Sequence, residues 1–154
     1  MIKEKIAVIP LSFGVRDNWK DDKVNKELAK LAEKVARQYK LPIIAEDIVA
    51  LHLKKKPILT TRGNLPGNRP YTDTYSALLQ AKKAKITNLV IVAHPEHIGR
   101  VFLTAKKMGF NVVGSYSILE IYDKNSTQLW TRNKWFFKIE NTLASIWYYF
   151  QGKI

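Results

Sequence analysis

The stretch from residue 88 to residue 114 constrains the fold most, because it reads as a buried strand followed by a helix and a second strand. Residues 89–93 form the apolar run LVIVA, which is typical of a strand covered on both faces. Val101, Ala105 and Met108 then recur at helical spacing, and Gly109 stands where a helix usually ends. A second apolar run begins at Val112. The stretch therefore predicts a strand–helix–strand unit.

Apolar runs alternate with helical patterns in the rest of the chain. The runs at 6–11, 41–45 and 57–61 predict strands, and the apolar spacing within 22–39 predicts a long amphipathic helix. Residues 134–150 predict an aromatic-rich helix near the C-terminus, while 118–122 fits either an extra strand or a helix turn. The alternation predicts a single α/β domain over residues 1–154, with a mostly parallel sheet and helices on both faces.

Composition narrows the classes of function. The chain has 26 Lys plus Arg against 13 Asp plus Glu, a net charge of +13. That charge favours an anionic partner, although a lysine-rich solvated surface explains it equally well. The absence of cysteine excludes disulfides and thiolate chemistry. The first ten residues have no long apolar segment and no run approaches the length of a membrane span, so we expect a cytoplasmic protein without a transmembrane segment.

Ionisable residues cluster directly after the predicted strand at 89–93. They are His94, Glu96, His97 and Arg100. Open α/β sheets bind ligands at the carboxyl ends of their strands, and a helix start with free N–H groups favours an anion. A zinc site at these residues is an alternative, but their spacing matches no zinc signature, so we predict no metal. The other alternative is that these residues lie at an exposed helix start and bind no ligand.

The order of these pieces resembles the YdcF-like family of bacterial α/β domains, which includes the SanA and ElyC envelope proteins. In that family a threonine-containing helix start precedes an apolar strand, which is followed by His-x-x-Arg and by a helix that ends before a glycine. Here the corresponding positions are Thr74, residues 89–93, His97, Arg100 and Gly109. The match is strongest between residues 73 and 109.

The resemblance implies a three-layer Rossmann-like sandwich of about five strands in the order 3-2-1-4-5, with a nucleotide or S-adenosylmethionine-type ligand. In that order the loops at 12–18 and 94–100 face one crevice, where we expect a small anionic ligand. The expected ligand-binding residues are Ser12, Gly14, Arg16, Asp73, Thr74, His94, Glu96 and Arg100. His97 is the expected catalytic residue, as a hydrogen-bond or proton donor. The sequence identifies no cofactor and does not decide between an enzyme and a binding protein.

The tail from residue 130 to residue 149 interleaves aromatic and basic side chains. We expect its helix to cover a sheet face or edge with its aromatic side, and the alternatives are an oligomer contact or a membrane surface. With the net charge, this gives a second hypothesis of another class: a non-catalytic basic protein that binds nucleic acid or an acidic membrane surface.

Overall fold

Parallel strands form the centre of the fold in this computed structural model, which describes residues 5–61 and 74–154. The strands are β1 (Ile6–Pro10), β2 (Ile44–Glu46), β3 (Leu59–Thr61), β4 (Asn88–Ala93) and β5 (Asn111–Ser117). One sheet has the order β1-β4-β5, and a second sheet pairs β2 with β3. All three pairings are parallel. One isolated parallel bridge, between Val8 and Ile43, links β1 to the segment that enters β2. The predicted α/β class and parallel pairing are confirmed.

Helices connect the strands and cover both faces of the β1-β4-β5 sheet. They are α1 (Lys23–Tyr39), α2 (Asp47–Ala50), α3 (Thr74–Lys83), α4 (Pro95–Lys107) and α5 (Lys134–Phe150). The long helix predicted at 22–39 is confirmed. Its first turn is capped by Asp22, whose side chain accepts a hydrogen bond from the Asn25 N–H, and it ends at Lys40 in the left-handed region.

The alternation of side chains along the strands divides the core between the two faces. All six residues of β4 are buried, as expected for a strand between two layers. On one face Leu89 and Ile91 pack with residues of α3 and α4, such as Leu78 and Val101. On the other face Val90 and Val92 pack with the apolar side of α1. The alternating direction of side chains along β4 therefore sends successive apolar residues to opposite faces, one covered by α3 and α4 and the other by α1.

Three predictions from the sequence require correction. The second and third strands begin at Ile44 and Leu59, so they are shorter than the runs predicted at 41–45 and 57–61. Of the residues before Ile44, Ile43 is part only of the isolated bridge to Val8. Residues 118–122 form neither a strand nor a helix turn. The aromatic side of α5 does not cover the sheet, since only Phe137 and Tyr148 are buried whereas Trp135 and Trp147 are 73% and 62% exposed.

We predict opposite effects of alanine at two glycines. Gly14 has a φ of +73°, and a Cβ there would lie 2.6 Å from the Thr131 Oγ1 and 2.9 Å from the Ser126 Oγ. Gly14→Ala should therefore lower the free energy of unfolding by about 2 kcal/mol or more. Gly99 lies within α4 with nothing within 4 Å of such a Cβ, so Gly99→Ala should raise it by about 0.5–1 kcal/mol. Urea denaturation measures both, and equal effects would contradict the packing described at Gly14.

Candidate functional site at the carboxyl ends of the strands

The loop after β1 is joined to the end of β2 by one buried carboxylate. The Ser12 N–H donates to the Glu46 Oε2 at 2.7 Å, and Glu46 is the last residue of β2 and 2% exposed. Glu46 was not among the predicted site residues. In Rossmann-type folds an acidic residue at the end of the second strand binds the ribose of the ligand. The signal that could have indicated Glu46 was therefore its position directly after the apolar run at 41–45.

The rest of this loop is fixed by hydrogen bonds on both sides. On the α1 side, Asn25 accepts from the Phe13 N–H at 3.0 Å and donates to the Gly14 carbonyl at 2.8 Å. On the other side, the Val15 N–H donates to the Ser126 Oγ at 3.2 Å. These bonds place Ser12 and Gly14 at the carboxyl end of β1, as predicted, in a loop whose backbone is held by three segments distant in sequence.

Arg16, a predicted ligand-binding residue, is engaged within the protein. Its Nε and Nη2 donate to the two carboxylate oxygens of Asp123 at 2.5 and 2.7 Å. The guanidinium lowers the pKa of the Asp123 carboxyl below its ordinary value, with a smaller contribution from the Asn125 N–H. A bidentate pair of this kind holds both side chains in one geometry. Arg16 therefore fastens the loop after β1 to Asp123.

His94 is completely buried and connects three segments. Its ring stacks on Phe13 with 3.7 Å between centroids and 9° between planes. Its Nδ1 accepts from the Glu96 N–H at 3.3 Å, so the Nε2 carries the proton and donates to the Ile121 carbonyl at 3.1 Å. Burial lowers the pKa of His94 to about 4, because the site disfavours the charged ring. His94 is thus a neutral, buried N-cap of α4.

The prediction that the first turn of α4 offers free N–H groups to an anion is wrong. Pro95 has no N–H, and the Glu96 N–H is taken by the His94 ring. The His97 and Ile98 N–H groups both donate to the His94 carbonyl, at 2.9 and 3.1 Å. The Glu96 carboxylate, also a predicted ligand contact, lies 3.8 Å from the Lys134 ammonium. An anion at this corner must therefore be held by side chains.

The His97 side chain lies between Thr74 at the start of α3 and Arg100 in the next turn of α4. It is 7% exposed, and its Nε2 lies 3.2 Å from the Thr74 Oγ1. Its Nδ1 lies 3.3 Å from the Arg100 Nη2, which can only donate, so the Nδ1 accepts and the Nε2 carries the proton. Burial, and secondarily the Arg100 charge, lower the pKa of His97 to about 3. The structure brings His97, Thr74 and Arg100 together as predicted, while Asp73 and the loop at 62–71 lie outside the described residues.

Arg100 ends this chain of contacts beside α5. Its Nη1 lies 3.6 Å from the Glu140 Oε1, and its guanidinium carbon lies 5.7 Å from the centre of the Tyr148 ring. Three buried atoms here have no hydrogen-bond partner among the described residues: the Arg100 Nε, the Glu140 Oε2 and the Asn141 Oδ1. Burial raises the pKa of Glu140 despite the nearby guanidinium. Buried polar atoms without partners are costly, so each requires an explanation.

Glu140 and Asn141 are two further residues that sequence reasoning missed. They are adjacent in the aromatic-rich helix, 40 residues beyond the cluster at 94–100. The signal that could have indicated them is a carboxylate and an amide side by side in a helix rich in aromatic side chains. Asn141 also donates to the Glu96 carbonyl at 3.4 Å, so α5 packs directly against the start of α4.

Comparisons with known proteins do not assign the chain to a family. No family model matches the chain, and neither the curated proteins nor the solved structures contain a match. Within residues 5–61 and 74–154 there is no group of three His, Asp or Glu side chains arranged to hold a metal ion. None of the helices in those residues is long and apolar enough to span a membrane.

We predict that stability falls between pH 6.5 and pH 5. The unfolded chain binds protons at histidine near pH 6.5, whereas the folded-state pKa values of His94 and His97 are about 4 and about 3. Each ring therefore lowers the free energy of unfolding by up to about 1.4 kcal/mol per pH unit as the pH falls through this window. Urea denaturation at several pH values measures the slope.

His97→Gln should remove about half of that slope, because one of the two buried rings is lost. The same change at the partly exposed His52 is the control and should remove less. An unchanged slope in His97→Gln would contradict the neutral, buried state of this ring.

Proposed function

We propose that the chain binds a small ligand with an anionic group at the edge where β1, β2 and β4 end. The observation that carries this proposal is the buried Arg100 Nε–H, which has no partner among the described residues although it belongs to a fixed cation next to His97. Guanidinium groups bind phosphate and carboxylate in the plane of their N–H donors. An anionic oxygen at the Nε would satisfy this donor, and the net charge of +13 raises the local concentration of anions.

The neighbouring acceptors define the rest of the ligand. The Glu140 Oε2 and the Asn141 Oδ1 lack donors, so a fitting ligand carries hydroxyl or amino groups near its anionic group. A nucleotide has this combination in its phosphate and ribose, and S-adenosylmethionine has it in its carboxylate and ammonium. Ser12 and the Glu46 carboxylate, which accepts from the Ser12 N–H at 2.7 Å, would supply further polar groups at the ends of β1 and β2. His97 contributes as a neutral ring, since an imidazolium acid is disfavoured by its pKa of about 3.

We further propose that the two sheets are parts of one sheet with the order 3-2-1-4-5, as the YdcF-like resemblance implies. The bridge between Val8 and Ile43 supports this, as does the 2.9 Å hydrogen bond from the Val8 N–H to the Pro42 carbonyl. In such a Rossmann-like sandwich, β1 and β4 flank the point where the strand order reverses, and ligands bind at that point. The proposed ligand site would then lie where this strand order leads us to expect one.

A thermal-shift screen of nucleotides, S-adenosylmethionine and sugar phosphates tests the ligand proposal. A ligand at 100 times its dissociation constant stabilises the native state by about 2.7 kcal/mol, which should raise the melting temperature by about 5–10 °C. Arg100→Gln should remove most of this rise.

The matched control is Lys107→Gln, which removes an exposed cation at the end of α4, the helix that carries Arg100, and should leave the rise unchanged. An equal rise in Arg100→Gln and in the wild-type chain would overturn the site assignment. The absence of a rise with every compound would overturn the proposed function.

A second candidate function, the binding of a polyanion such as nucleic acid, is favoured by a different crevice. It encloses about 330 Å³ near the end of α1 and the segment before β3. Its lining includes Arg37, Lys40, Lys54, Lys55 and Lys56, with Glu33 as the one carboxylate. Phosphates contacted by such cations release counterions, so binding weakens steeply as salt rises.

Salt titration of binding to nonspecific duplex DNA tests this second function. The double change Lys55→Gln and Lys56→Gln should lower the slope of log K against log salt by about 2, since two phosphate contacts are lost. The control is Lys106→Gln with Lys107→Gln, two exposed lysines at the end of α4, which should leave the slope unchanged. No binding at low salt, or equal slopes in both variants, would exclude the crevice.

A further inference from the structure

The outer face of α5 is apolar and exposed. Its residues are Trp135, Phe136, Ile139, Leu143, Ile146, Trp147 and Phe150, each between 50% and 79% exposed. At about 100° per residue they fall within one arc of about 120° that contains no charged side chain. The inner face is more polar, since it contains Glu140 and Asn141 beside the buried Phe137 and Tyr148. Among residues 5–61 and 74–154, no segment therefore covers the apolar face of the helix.

The spacing on this face is that of a helix–helix seam. Phe136, Ile139, Leu143, Ile146 and Phe150 are separated by three, four, three and four residues, the heptad spacing by which one helix packs its side chains between those of another. We call these five residues the α5 seam. Attraction to a lipid surface needs only an apolar arc, whereas a seam of this regularity fits a second helix.

We propose that the α5 seam binds the α5 seam of a second copy of this chain, with the two helices antiparallel and crossing near Leu143. Closed homodimers with a two-fold axis are the commonest soluble oligomers, and the axis pairs each residue with its counterpart on the other copy. Leu143 is the middle residue of the seam, and a phenylalanine stands at each end of it. An antiparallel pairing places Phe136 of one copy toward the end that carries Phe150 on the other.

The size and shape of the surface support this occupant. The seven outer residues expose roughly 900 Å² when a whole side chain is taken as about 180–250 Å², and a standard protein interface buries about 800 Å² on each partner. A groove of about 790 Å³ runs beside the seam, between α5 and the 3-10 turn Leu129–Thr131. Its lining includes the exposed Leu129 and Trp130, which extend the apolar surface on one side of the helix.

The charges on α5 favour a second copy of the chain over an anionic membrane as the partner of the α5 seam. Helices that lie on membranes carry many lysines and arginines on their polar face, whereas α5 has only Lys134 and Lys138 and also contains Glu140. The net charge of +13 opposes self-association over long distances, but salt screens this repulsion beyond about 8 Å at physiological ionic strength. Pairing of two copies should therefore strengthen as salt rises, while binding to anionic lipid should weaken.

Sedimentation velocity of the full chain, from about 1 to 100 μM in 0.05 and 0.5 M salt, tests the proposal. We expect a dimer whose dissociation constant falls at the higher salt. Leu143→Lys should weaken association at least tenfold, because it buries a charge at the centre of the seam. Leu103→Lys, the same change at an exposed leucine of α4, should dimerise like the wild-type chain.

The chain has no cysteine, so single-cysteine variants report the direction of pairing. Under oxidation, Leu143→Cys should give a crosslinked dimer, because the pairing brings the two copies of residue 143 within disulfide distance. Phe136→Cys should not, since antiparallel helices place its two copies about 20 Å apart. A monomer at 100 μM, equal dimerisation of Leu143→Lys, or efficient crosslinking through Phe136→Cys would each overturn the proposal. Binding to phosphatidylglycerol vesicles that protects the seam, by a chain that stays monomeric, would assign the surface to membrane instead.

Discussion

The buried ring of His94 is the contact on which the geometry of the candidate site depends. It stacks on Phe13 of the β1 loop, caps α4 through its Nδ1, and donates to the Ile121 carbonyl beyond β5. One neutral imidazole therefore holds in register three segments that the parallel sheet alone brings only near each other. A phenylalanine in its place would keep the stacking but lose both hydrogen bonds, and the cost of the unpaired Ile121 carbonyl would follow. Charging the ring would remove the acceptor at its Nδ1 but keep the donor at its Nε2, and the Ile121 carbonyl by itself raises the pKa. Burial outweighs this contribution and lowers the pKa to about 4.

The helix α5 connects the two proposals. Its inner side brings Glu140 and Asn141 to Arg100, and its outer side carries the α5 seam. Most surface helices bury their apolar side, so this helix is inverted with respect to the usual pattern. The inversion is costly for an isolated chain, because a large apolar surface remains in water. A second copy that covers the seam would offset this cost and would also hold Glu140 and Asn141 against the start of α4.

The sequence predicted the features that follow from local pattern. The fold class, α1, the strand β4 and the meeting of His97 with Arg100 all follow from apolar periodicity and from the spacing of neighbouring residues. The sequence did not reveal that Arg16 pairs with Asp123, 107 residues away, or that the first N–H groups of α4 are already satisfied. It also did not place Glu140 at Arg100. These features depend on contacts between distant segments, and an arginine that binds a carboxylate of its own chain has the same local pattern as one that binds a ligand.

The Arg100 Nε–H has no partner among the described residues, and we propose that it binds the anionic group of a ligand. The most direct measurement is a ¹H–¹⁵N NMR titration that follows the side-chain Nε–H resonance of Arg100, assigned by its loss in Arg100→Gln. With the best compound of a ligand screen, we expect a downfield, saturable shift of this resonance as the hydrogen bond to an anionic oxygen forms. An unshifted Arg100 Nε–H in a titration that moves other resonances would show that the ligand binds elsewhere.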